Sequence, residues 1–243
     1  MKKLLLMALL AAGLSANAAV LTDNDDEMGT VGGVDLGEGV DENDRWTMHV
    51  NVGVDVPTDV PSGLDFAPFR SWEIGVTVVQ YDYTPKNWKT TFSAGLGFDW
   101  RNYTLKGHEK AFVKVPANTL GNPNEFVNVA IADEKSDKRS SRIHTVSLSI
   151  PLMVKQRFSK TFALSVGAQL NWNFRAHLHN YFAQGDTEVS VDTKKIGHRP
   201  LTVDILGIVH IERFGLYCKY SPMSVMKKDR GPEFKSLAFG IYF

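Results

Sequence analysis

The chain contains one cysteine, Cys218, in 243 residues, so no disulfide can form within it. Beyond the first twenty residues no segment approaches eighteen consecutive apolar residues, which excludes a transmembrane helix. Charge of one sign is also missing. The 27 Lys and Arg match the 27 Asp and Glu, and this balance invites neither nucleic acid nor an anionic surface.

The N-terminus does carry a signal. Met1-Lys2-Lys3 is a short positive start, Leu4 to Leu14 is apolar, and Ala16-Asn17-Ala18 is a small-x-small cleavage site. This order predicts a secretory signal peptide over 1–18, cut after Ala18. Ala19 follows rather than a cysteine, so no lipoprotein anchor is expected. Removing Lys2 and Lys3 from the 27 basic residues leaves 25 against 27 acidic ones, a mature charge of about −2. A lone cysteine then enters an oxidising compartment without a partner.

Residues 19–44 differ from the rest. Asp23, Asp25, Asp26, Glu27, Asp35, Glu38, Asp41, Glu42 and Asp44 lie among glycines, with no Lys or Arg. Low hydrophobicity with one-sided charge predicts a flexible acidic tail. Asp23-x-Asp25 with Gly29 resembles a calcium loop only in part. It lacks the glycine at the sixth position and the glutamate at the twelfth, so no metal is expected.

From Arg45 onward the period is two, that of strands. Eight segments alternate: Trp46–Val56, Trp72–Tyr83 with a bulge at Val78-Val79, Trp88–Trp100, Thr145–Arg157, Phe162–Phe174, Leu201–Ile211, Phe214–Tyr220 and Leu237–Phe243. Most exceed the roughly 9–11 residues that a tilted strand needs to cross a bilayer. Tight turns at Thr84–Asn87, Ser159-Lys160 and around Arg213 alternate with longer links at 57–68, 106–141, 177–199 and 223–233. This sorting predicts an eight-stranded antiparallel transmembrane β-barrel over 45–243 with short turns at one end and loops at the other. The link 106–141 carries two short alternating pieces, Ala111–Val115 and Phe126–Ile131, around Gly121-Asn-Pro-Asn124. They read as a protruding hairpin, and a ten-stranded barrel with this hairpin inserted is the alternative. Glu188–Asp192 reads as a second extension.

The two faces differ in chemistry. The apolar face ends in Trp46, Trp72, Trp88, Trp100, Trp172, Phe174 and Phe243, which suits an interfacial girdle. The other face carries Asp55, Glu73, Asp99, Arg101, Lys155, Arg157, Arg175, Asp204, Glu212 and Lys219, of both signs, which suits a lumen filled by side chains. A lipocalin-like soluble barrel would have the same alternation with its faces exchanged.

The topology from Arg45 to Phe243 resembles the small OmpA and OmpX type outer-membrane barrels. Ser236-Leu-Ala-Phe-Gly-Ile-Tyr-Phe243 is similar to the C-terminal signal read by barrel-assembly machinery. Tyr220-Ser-Pro-Met, Lys227-Lys228 and Gly231-Pro232-Glu233 before the last strand resemble the outer-membrane barrel domains of Bacteroidota. The resemblance implies an outer-membrane location, outer-membrane lipid and lipopolysaccharide as surroundings, and a monomer. It implies no activity.

Candidate chemistry is sparse. His177 and His179 fall two apart on the register assigned to the lumen, near the rim, where they could chelate a metal or serve a hydrolase. His144 and Ser147 loosely resemble the His and Ser of barrel deacylases, but their odd separation puts them on opposite faces of a regular strand. His49 and His210, the latter beside Glu212, are expected inside the barrel in a polar network. No catalytic, cofactor or metal residue is assigned. A structural or surface-interaction protein is the leading expectation. A lipid A-modifying enzyme and a narrow pore are the alternatives.

Overall fold

The computed structural model describes residues 33–38, 44–107, 110–131, 138–184, 187–211 and 214–243. The signal-peptide reading, the Asp23-x-Asp25 motif, Glu212 and the turn at Arg213 lie outside them. Among the described residues, no helix is long and apolar enough to cross a membrane.

Among the described residues twelve strands form: β1 Val34–Glu38, β2 Asp44–Thr58, β3 Trp72–Tyr83, β4 Thr90–Thr104, β5 Lys110–Val115, β6 Phe126–Ile131, β7 Lys138–Arg157, β8 Phe162–Gln184, β9 Thr187–Lys194, β10 Leu201–Ile211, β11 Phe214–Ser221 and β12 Lys235–Tyr242. Eight of them, β2, β3, β4, β7, β8, β10, β11 and β12, pair antiparallel in that order, and β12 pairs back onto β2. The ring is closed, which leaves its wall no free edge. The hairpin β5–β6 is a separate two-stranded sheet, so the barrel has eight strands, not ten.

Each expected segment is a strand of the wall. The bulge foreseen at Val78-Val79 sits between Thr77 and Val79 on β3. The closing seam runs from Lys235↔Thr58 to Tyr242↔Asn51. Beyond it Phe243 exchanges both backbone hydrogen bonds with Val50, at 3.0 and 2.8 Å.

One expectation is corrected here. Residues 19–44 are not wholly a tail, because Val34–Glu38 pairs with β2 from Met48 to Arg45. β12 ends at Tyr242 and leaves this stretch of β2 without a partner on that side. β1 takes it, which satisfies backbone groups at an otherwise open edge. The signal was overridden because an edge accepts almost any extended segment, since its bonds are to backbone.

The distribution of side chains is inverted relative to a water-soluble protein. Asp55, Glu73, Asp99, Asp204 and Lys219 are at most 2% exposed, while Trp172, Leu152, Val166, Ile205, Phe214 and Leu216 are each at least 53% exposed. On β8 the exposed apolar face runs from Phe162 to Trp172. Ten steps of about 3.3 Å, tilted about 40°, span about 25 Å, the height of the apolar band of a membrane barrel.

Candidate functional site

Inside the wall the inward positions of β3, β4, β10 and β11 converge on one ion cluster. Lys219 Nζ lies 2.7 Å from Asp99 Oδ2 and 2.8 Å from Glu73 Oε2. Arg101 pairs with Asp99 at 3.1 Å, with Glu73 at 3.3 Å, and with Asp204. Gln169 and Asn171 donate to Asp99 and Asp204 at 3.0 and 2.6 Å. Tyr217 fits beside this cluster because residue 53 is glycine: a Cβ there would stand 2.2 Å from the phenolic oxygen. The adjoining cavities hold about 20 and 10 Å³, the scale of a single water.

Nearer the short-turn end, Thr47 donates to Asp82 at 3.0 Å and Gln80 to Asp82 at 2.8 Å. His49 lies 3.0 Å from the Thr47 hydroxyl and stacks on Tyr242 with ring centroids 4.9 Å apart. His210 meets Ser165 at 2.7 Å. Both histidines are inside, as their register requires, and both are hydrogen-bonded to the filling.

The loop end is closed by a lid that alternation did not reveal. Phe66, Tyr103, Phe112, Leu178, Met226 and Phe234 are buried together. The Phe234 ring packs tilted against Phe66 and edge-on against Tyr103, with centroids 4.7 and 5.1 Å apart. The hairpin β5–β6 is tied down rather than protruding freely. Its Phe112 N–H donates to Ser141 Oγ at 2.8 Å, and Asn180 Nδ2 donates to the Phe112 carbonyl at 2.8 Å. Val127 N–H reaches the Arg230 carbonyl at 2.8 Å. Above the lid an open groove of about 710 Å³ lies between the hairpin and the first and last long loops, lined by Leu64, Lys110, Phe126, Val129, Ile131 and Asp229 among others. Ile131 is 85% exposed.

The third feature corrects the placement of Arg175, His177 and His179. β7 pairs with β8 through Ser147↔Asn173 and then Val146↔Arg175, so Phe174 is an extra residue on β8. A bulge of one residue reverses the side to which all later side chains point. Arg175 is exposed, Ala176 and Leu178 turn inward under the lid, and His177 and His179 face outward. His177 lies opposite His144 across the β7–β8 pair, and their rings stack with centroids 5.0 Å apart. His144 also meets the Trp72 ring at 6.4 Å and His179 at 6.2 Å. His179 Nδ1 lies 2.7 Å from Asp192 Oδ1 of β9. Ser147 is buried on the other face, so it forms no pair with His144, as its spacing requires.

The electrostatics of this outward cluster are cationic. Burial, then the neighbouring Arg142, pushes His144 down to about 4. Burial and Arg175 lower His177. The hydrogen bond from His179 holds Asp192 below the usual carboxylate range. No three His, Cys, Asp or Glu donors among the described residues converge on a point that a metal could occupy.

No family model matches the chain, and no curated protein matches it. Among solved structures it is similar to the attachment invasion locus protein Ail of Yersinia pestis, with 9% identity and a TM-score of 0.35, over 84% of this chain and 100% of that one. At that identity and score the likeness says nothing of this chain's role.

Proposed function

We propose that the chain is an integral outer-membrane β-barrel protein that acts at the cell surface through its long loops, with no catalytic role. One observation carries the membrane reading: a closed wall whose outward face is apolar over about 25 Å and whose interior is charged. In water, such a continuous apolar belt would far exceed the few hundred Å² that a soluble monomer exposes. A closed ring is also the only sheet whose backbone groups are all satisfied in lipid.

The surface role is supported by the groove over the lid, where apolar Ile131 and Phe126 stand beside Lys110 and Asp229. Concave apolar surface with a few polar groups is the usual form of a binding site. The ion cluster and the lid, stacked along one axis, argue against a pore.

Site-directed labelling tests this reading. Cys218 is exposed on the outer face of β11, so in lipid a water-soluble maleimide does not reach it. Ser62→Cys and Asn118→Cys place a thiol in the loops. In intact cells a membrane-impermeant maleimide should label both variants and leave the parent unlabelled. Labelling of the parent at Cys218, or protection of both loop thiols until cells are broken, contradicts the proposal.

A further inference from the structure

The outward cluster on the extension of β7 and β8 has a chemistry of its own. Arg142 and His144 of β7, Arg175, His177 and His179 of β8, and Lys194 and Asp192 of β9 share one outer face, with Arg70 from the short 3-10 turn Pro68–Arg70 beside them. The pairings Val146↔Arg175, His144↔His177, Arg142↔His179, His177↔Lys194 and His179↔Asp192 bring them together. Arg70 is close enough to Arg142 to disfavour its charge. Four permanent cations therefore face one carboxylate, and that carboxylate already accepts from His179.

Two nitrogens there lack partners. Arg142 Nε and His177 Nδ1 are screened from solvent, and no hydrogen-bond partner lies within reach among the described residues. The Arg142 Nε–H is a donor in every protonation state, and a sheltered donor without an acceptor is costly, so it calls for an acceptor from outside. Clustered arginines in excess over the one carboxylate, Asp192, fit a phosphate, whose oxygens match the guanidinium fork. The same surplus of positive charge disfavours a metal cation at the three imidazoles.

The location selects the source of the phosphate. The cluster stands one step beyond Trp72, Trp172 and Phe174, the aromatic ends of the apolar band, and His144 touches Trp72. Aromatic girdles mark the headgroup level of a bilayer. On the membrane reading, which this inference presupposes, the face therefore looks into the headgroup layer and not into the bulk. We propose that it binds the phosphate of an anionic lipid headgroup in the surrounding leaflet, with Arg142 and Arg175 as the main contacts.

The test uses the full chain, folded and purified in a zwitterionic detergent. Phosphatidylglycerol and phosphatidylcholine are offered at equal concentration, and retained lipid is counted by native mass spectrometry. The protein should retain phosphatidylglycerol about tenfold better, and R142A/R175A should lose most of that preference, since a charge-assisted bond carries about a tenfold effect or more. Both side chains are on the outer surface, so the double variant should keep its heat-modifiable mobility, which confirms folding. Equal retention of the two lipids by the folded parent overturns the site and leaves the membrane reading standing. Loss of preference in H144A/H177A but not in R142A/R175A also overturns it, because recognition would then belong to the imidazoles, as for a metal. Displacement of the lipid by equimolar inorganic phosphate would refute the choice of a lipid source.

Discussion

Lys219 and Asp99 meet at 2.7 Å in the middle of the barrel, with side chains 2% and 1% exposed. Neither charge has water to fall back on, and Arg101 and Glu73 are held by the same contacts. Removing one partner of such a pair strands the other. Lys219→Met should therefore lower stability by about 3–5 kcal/mol, measured by urea unfolding in detergent micelles. An unchanged midpoint would mean that the cluster is hydrated and contributes little.

Asp55 provides the converse case. Four buried carboxylates, Asp55, Glu73, Asp99 and Asp204, face two cations, Arg101 and Lys219, and Asp55 makes no ion pair with any described residue. Asp55→Asn removes surplus negative charge at constant shape. It should be neutral or stabilising by about 1 kcal/mol, where Asp99→Asn is destabilising. Equal losses for the two variants would contradict the assignment of Asp55 as the surplus group.

The last residue closes the ring. Phe243 exchanges two backbone hydrogen bonds with Val50, and its carbonyl lies 3.2 Å from His49 Nδ1. Deleting Phe243 opens the edge of β2 between the end of β12 and the start of β1. Assembly should fall, seen as less heat-modifiable protein in the membrane at equal synthesis. Undiminished assembly would show that β1 alone seals the seam.

Much of this was legible from alternation. The eight wall strands, the polar filling at Asp99, Arg101, Asp204 and Lys219, and the inward His49 and His210 follow from parity alone. Parity failed on β8 for a physical reason. Even-numbered residues stay apolar from Phe162 through Ala176 and Leu178, yet below Phe174 they face outward and above it they face the lid. The exterior is apolar in one zone and the interior in the next, so the bulge leaves no break in the pattern. The neighbouring strand did carry the signal: Ile143 is odd-numbered and buried, whereas Val146, Leu148 and Ile150 are even-numbered. The cationic face escaped notice because a balanced total hides charges that the fold segregates.

Two wall glycines differ in clearance, Gly53 facing the interior and Gly207 the outer side. A Cβ at Gly53 would stand 2.2 Å from the Tyr217 oxygen and 2.5 Å from the Phe239 carbonyl oxygen, whereas one at Gly207 meets nothing closer than 4.0 Å. Gly53→Ala should cost about 1–3 kcal/mol by overpacking, and Gly207→Ala should cost much less. Thermal loss of the heat-modifiable form compares them directly, and a reversed order would count against the placement of Tyr217.

The lipid site has a pH signature. At neutral pH His144, held at about 4 by burial and Arg142, is uncharged, and the positive field comes from Arg70, Arg142, Arg175 and Lys194. A bound anion favours the charged imidazole, so protons and lipid bind with mutual reinforcement. Affinity for phosphatidylglycerol, which keeps its single charge across this range, should rise as pH falls toward about 4. Protonating Asp192 would only add to this rise by removing the carboxylate charge, and the hydrogen bond from His179 holds that carboxyl below the usual range. A fall in affinity on acidification contradicts the arrangement.

The central claim is that the apolar outer face of this ring is solvated by lipid. Fractionation of the cells that make the protein tests it most directly. The mature chain should sediment with the outer membrane, resist extraction by salt and carbonate, and require detergent for release. Recovery of the folded chain in the soluble periplasmic fraction without detergent would contradict the account at its base.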